Sequence, residues 1–172
     1  MKKLVLFVLM VSLMALTACA GADSKFAQEV DKEKAAIKLL KEVERGGYGV
    51  ISTEELKKMI NNKKEMVIID AMPYEASYKK GHIPGAVQFL FPIPDMNEWD
   101  RSETDGKTLT EYENLLGRDK DKLIVVYCGF VKCTRSHNAA IWAKKLGYTN
   151  VVRHPGGIFA WKGAGNKVAT VQ

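Results

Sequence analysis

The stretch Leu123-Ile-Val-Val-Tyr-Cys128-Gly-Phe-Val-Lys-Cys133-Thr-Arg135-Ser-His-Asn-Ala-Ala140 decides how this chain is read. An apolar run without alternation is the pattern of a strand buried on both faces, as in parallel sheets. The run stops at a cysteine, a short loop follows, and Arg135 opens a helical segment that turns Ala139, Ala140, Ala143 and Leu146 inward. This order sets a sulfur at the carboxyl end of a strand, beside the N-terminus of a helix. Backbone N–H groups and the positive helix end favour anions and thiolates there. Cys128 is therefore the candidate nucleophile and Arg135 the candidate anion anchor. Gly129, Phe130, Val131, Lys132, Cys133, Thr134 and Ser136 are the candidate substrate contacts of the same loop. The plainer alternative is that Cys128 fills core space and Cys133 pairs with it in a local disulfide.

Around this stretch, strand and helix alternate. Residues 48–51 read as a strand, and Ser52-Thr-Glu-Glu55 is a capping-box start for a helix to Asn61. Residues 66–70 form a second apolar strand. A short helix over 74–80 and a Gly-His-Ile-Pro-Gly turn over 81–85 lead into a strand over 86–90. An irregular segment covers 91–108, with Pro92, Pro94 and Trp99. A helix over 109–116 precedes the central strand, and a strand at 151–152 and a helix over 158–162 close the chain. The pattern predicts an α/β fold with a parallel sheet of about five strands and helices on both faces. A charged helix over 24–45 precedes it, with Phe26, Val30, Ile37 and Leu40 as a narrow apolar stripe.

The first residues read as a targeting segment. Lys2 and Lys3 precede an apolar run over 4–16, and Leu16-Thr17-Ala18-Cys19 resembles the lipobox of bacterial lipoproteins. That resemblance implies cleavage before Cys19, its lipidation, and anchoring to a bacterial membrane facing the periplasm or the cell exterior. The expected organisation is a signal peptide over 1–18, a lipidated cysteine and helical tether over 19–46, one domain over 47–165, and a tail over 166–172. The net charge of +6 is scattered and forms no basic stripe with interleaved aromatics, which argues against nucleic acid as a partner. Besides Cys19 the chain holds two cysteines, in one loop, and three histidines that form no cluster at ligand spacing; no metal and no cofactor is expected.

Taken together, Val67-Ile-Ile-Asp70, Gly81-His-Ile-Pro-Gly-Ala86, the strand ending at Cys128, Arg135-Ser136 with Ala139-Ala140, Leu146-Gly147-Tyr148 and Gly156-Gly-Ile-Phe-Ala-Trp161 resemble the rhodanese family in order and spacing. The resemblance implies a sulfurtransferase whose loop cysteine accepts sulfane sulfur from thiosulfate or polysulfide as a persulfide. The sulfur then passes to a thiophilic acceptor: a thiol, cyanide or a protein. Two features depart from the family. Cys128 through Arg135 counts eight residues, longer than the loops of the family's sulfurtransferases and of the related phosphatases and arsenate reductases. Cys133 also lies inside the loop, which opens the alternative of a persulfide or redox carrier using the Cys128–Cys133 pair. An arsenate reductase or phosphatase of the related fold is the other alternative.

Overall fold

The computed structural model describes residues 24–171 and divides the chain into two compact units, 1–38 and 39–172. Helix α1 (Lys2–Gly46) contributes to both. The expected signal peptide and Cys19 lie outside the described residues. Among those described, no helix is long and apolar enough to cross a membrane. Phe26, Val30 and Ile37 in the first unit are exposed.

The second unit is a five-stranded, fully parallel sheet: β1 (Gly49–Val50), β2 (Val67–Asp70), β3 (Ala86–Gln88), β4 (Ile124–Tyr127) and β5 (Val151–His154), in the order β1-β5-β4-β2-β3. Helices α2 (Thr53–Asn61), α3 (Leu109–Leu116), α4 (Arg135–Lys145) and α5 (Gly157–Gly163) cover it. The alternation of β4 separates two apolar layers. Ile124 and Val126 join Ile69, Tyr112, Leu116, Ala139, Ala143 and Trp142 on the α3/α4 side. Val125 and Tyr127 join Leu56, Ile68, Ile158 and Trp161 on the α2/α5 side. The expected capping box of Ser52 with Glu55 is formed, and Thr108 with Glu111 makes a second, so α2 and α3 begin where these side chains satisfy the first free N–H groups.

The chain order matters for function. From β2 the chain steps outward to β3, then returns to β4 and steps the other way to β5. The carboxyl ends of β2 and β4 therefore flank the point where the winding reverses, the place where open α/β sheets form crevices. Cys128 is the first residue beyond β4.

Two elements are shorter than the sequence pattern predicts. Only Tyr78–Lys80 forms a tight 3-10 turn where a helix over 74–80 is expected, because Gly81 cuts the segment before a second turn can add its bonds. The third strand ends at Gln88, and residues 89–108 follow as a segment whose one regular turn is the 3-10 helix Arg101–Thr104. Asn138, buried on α4, holds that segment: it donates to the carbonyls of Pro92 (2.9 Å) and Pro94 (2.8 Å) and accepts from Met96 N–H (3.0 Å). Phe89, Phe91, Trp99, Tyr112 and Trp142 pack ring against ring beneath it.

Candidate active site in the cysteine loop

The loop begins where β4 delivers Cys128 to the switch point, and α5 fixes its first two residues. The N–H groups of Ile158 and Phe159 donate to the carbonyls of Cys128 (2.9 Å) and Gly129 (3.0 Å). That approach requires Gly157. It sits at φ +58°, and a Cβ there would lie 2.2 Å from the Cys128 carbonyl oxygen and 2.7 Å from that of Gly129. The Gly-Gly-Ile-Phe motif thus exists to let a helix start against the loop backbone.

The far side of the loop turns through a Cys133 N–H to Phe130 carbonyl bond of 3.0 Å and enters α4. Beneath it lies Arg153 of β5, fully buried. Its Nη2 donates to the carbonyls of Cys133 (2.8 Å) and Val131 (3.4 Å), and its Nη1 to Glu42 of α1 at 2.5 Å. A guanidinium neutralised by a carboxylate therefore clamps the extra length of this loop from below. Next to it, Arg45 Nη2 and the Tyr48 hydroxyl hold the two ring nitrogens of His137, at 2.7 and 2.6 Å. Burial pushes His137 down to about 4, so the ring is neutral. Because an arginine only donates, Nε2 carries the lone pair and Nδ1–H donates to Tyr48. His137 is fully buried, a structural link between α1 and α4.

The two sulfurs differ. Cys128 Sγ lies 3.1 Å from Ser136 Oγ and donates to the Cys133 carbonyl at 3.3 Å. Burial and its hydrogen bond to Cys133 raise the Cys128 thiol well above the ordinary cysteine range. Cys133 is lowered to about 6. The Cys128 thiol bonded to it has the largest effect; the backbone N–H groups of Arg135 and Gly129 and the Arg135 charge add to it, against burial. Both are free thiols. Arg135 is half-buried, and its guanidinium donates to the Phe91 carbonyl, which ties the irregular segment to the rim of the loop.

Of the residues singled out in the sequence, Cys128, Gly129, Cys133, Arg135 and Ser136 converge. Thr134 is the N-cap of α4, Val131 is half-buried over Arg153, and Phe130 and Lys132 are exposed on the outer face. Asp70 is structural: its carboxylate accepts from Met72 N–H and from the Tyr127 hydroxyl. Sequence reasoning missed Arg153, Glu42 and Asn138. The one available signal was an arginine inside an otherwise apolar strand, which needs a buried partner. Among the described residues, no group of His, Cys, Asp and Glu is arranged to hold a metal.

Residues 52–164 match the family model of the rhodanese-like domain. This chain belongs to the rhodanese-like domain family. No curated protein matches it. Among solved structures, the rhodanese-like domain is similar to thiosulfate sulfurtransferase from Pseudomonas aeruginosa, with 24% identity over 80% of this chain and 23% of that one and a TM-score of 0.55. A Bacillus halodurans protein matches with 20% identity over 78% of this chain and 86% of that one, TM-score 0.54. A Rhodopseudomonas palustris protein described as a possible tyrosine phosphatase matches with 22% identity over 78% and 93%, TM-score 0.51. At these identities the likeness concerns the fold.

The lowered Cys133 thiol makes a pH prediction. The thiolate form grows as pH rises through the lowered value of about 6, so alkylation of Cys133 by iodoacetamide should be near its plateau at pH 7.5. It should fall to about a tenth of that at pH 5. Peptide mapping after timed alkylation reads this directly, and a midpoint above pH 8 would contradict it.

Proposed function

We propose that this rhodanese-like domain is a sulfurtransferase that takes sulfane sulfur from a small anion, such as thiosulfate or polysulfide, as a persulfide within the Cys128–Arg135 loop. It then delivers the sulfur to a thiophilic acceptor. The observation that carries this reading is the placement of two free thiols in the loop between β4 and α4, with Cys128 Sγ 3.1 Å from Ser136 Oγ and Arg135 half-buried at the rim. Hydrogen-bond donors there stabilise a thiolate and the terminal charge of a persulfide alike. Arg135 supplies the positive charge at the rim.

Intact mass spectrometry of the reduced protein after exposure to thiosulfate or polysulfide tests the proposal. Transfer of sulfur, seen as a gained sulfur atom or as released sulfide, should be lost in the Cys128→Ser/Cys133→Ser double variant. An inert wild-type protein would rule the reading out.

The proposal includes export and attachment to a membrane through lipid on Cys19, supported by the Leu16-Thr-Ala-Cys19 sequence. Cys19→Ser should move the protein from the membrane pellet to the soluble fraction of bacterial cells. Unchanged sedimentation would refute the anchor.

A further inference from the structure

We propose that Phe130 and Phe159 are the docking point for a protein acceptor, one that presents its cysteine beside an apolar side chain within an acidic surface. This rests on the sulfur-transfer reading above and names the kind of partner the loop serves.

Phe130 on the cysteine loop is 45% exposed and Phe159 on α5 is 62% exposed. Their rings face each other, with centroids 5.5 Å apart and planes tilted by 34°. Among the described residues they are the only two exposed rings in contact with one another. Large apolar rings side by side in water have the composition of an interface core, where aromatic anchors carry most of the binding energy. Both are also held in place before any partner arrives. The Phe159 N–H donates to the Gly129 carbonyl (3.0 Å), and the Phe130 carbonyl accepts from the Cys133 N–H (3.0 Å). An anchor fixed in advance loses little freedom on binding.

The position of the pair says what binds it. The rings stand on the backbone that carries Cys128 and Cys133, whose thiols are 1% and 8% exposed. An acceptor that exchanges sulfur with groups so enclosed has to lie against the residues bordering the loop. A bilayer seated on the same rings would cover the loop and bring no thiol, so the surface fits a protein better than a membrane. Charge narrows the partner further. After Asp121 the sequence holds no Asp or Glu, while eight lysines and arginines follow. Lys132 stands two residues beyond Phe130, Arg135 at the loop rim, and Lys162 one turn of α5 beyond Phe159. At the start of α2, beside Gly156, Glu54 is engaged by Lys58 (2.8 Å) and Glu55 by Ser52 (2.7 Å). A basic rim around an apolar contact favours encounter with an acidic one.

The transfer step balances without an oxidant. The acceptor thiolate attacks the outer sulfur of the loop persulfide. A new S–S bond forms on the acceptor, the protein's own S–S bond breaks, and the loop thiolate leaves with the electron pair.

The test charges the reduced full chain with thiosulfate and measures sulfur transfer to the synthetic peptide Glu-Glu-Leu-Cys-Leu-Glu-Glu. Two counterparts are run beside it, one with Lys for Glu and one with Gly for Leu, each rate divided by that for dithiothreitol. With wild type the acidic leucine peptide should exceed either counterpart about 10-fold at low salt. The charge preference should shrink in about 0.5 M salt. Phe159→Ser should lose the leucine preference, and Phe159→Tyr should keep it. Equal ratios for the three peptides with wild type, or a leucine preference unchanged in a folded Phe159→Ser, would overturn the docking point and leave sulfur transfer standing. A wild-type chain that takes up no sulfur removes the sulfurtransferase reading instead. Binding of the labelled peptide with serine in place of cysteine then decides the docking point: Phe159→Ser should weaken it about 10-fold, and equal binding refutes it. Phosphatidylglycerol vesicles supply the remaining arm, with the Cys19→Ser chain. Vesicle binding that is lost on adding Phe159→Ser, with no peptide preference, would make the pair a membrane contact and refute the protein partner.

Discussion

Glu42→Ala should destabilise the domain by about 3–5 kcal/mol, because it leaves a fully buried guanidinium without its counter-charge. For a domain of this size that corresponds to a fall in Tm of roughly 10–20 °C. The loss comes from desolvation rather than from the ion pair itself. Arg153 cannot reach water, and its remaining partners are neutral oxygens: the Tyr48 hydroxyl and the carbonyls of Val131 and Cys133. Replacing both partners, as in Glu42→Leu with Arg153→Leu, should recover part of the stability, since an apolar pair has no charge to desolvate. It should not recover sulfur transfer, because the two loop carbonyls lose their donor. Thermal unfolding and single-turnover sulfur release, measured on the same three proteins, separate the two effects. Equal stability of Glu42→Ala and wild type would show that Arg153 reaches solvent.

Gly157→Ala is the second large effect, at about 2–4 kcal/mol, with sulfur transfer reduced further than stability alone accounts for. The added methyl meets backbone oxygens rather than a flexible side chain, and the positive φ disfavours any L side chain. Relief requires α5 to withdraw from the Cys128 and Gly129 carbonyls, which moves the first residues of the loop. Gly163→Ala at the other end of α5 is the control: a Cβ there meets nothing within 4 Å, so it should be neutral or slightly stabilising. If both substitutions behave alike in thermal melts, the close approach at Gly157 is not what fixes the loop.

The architecture was legible because local patterns carried it. The unbroken apolar run 123–127 fits a central strand, the capping residue Ser52 starts α2, and the Arg135–Ala140 pattern starts α4. The loop was legible as a site for the same reason: strand, cysteine, loop and helix are consecutive. What the sequence did not disclose is set by pairs far apart in the chain. Glu42 and Arg153 are 111 residues apart, and Asn138 reaches carbonyls 44 and 46 residues away. Nor does any local pattern state that Cys133 turns inward, since that depends on Arg153 holding its carbonyl from beneath.

The strand order also governs when the molecule can close. β1, made first, has β5 as its sole neighbour in the sheet, and β5, made last, lies between β1 and β4. While the polypeptide is still emerging, β2, β3 and β4 can associate, but β1 has no strand to join. Contacts of such long sequence separation are slow to form. A nascent domain therefore waits, with its β1 edge open, until the residues of β5 have been synthesised. The insertion of β5 then completes the sheet and seats the cysteine loop in the same late event.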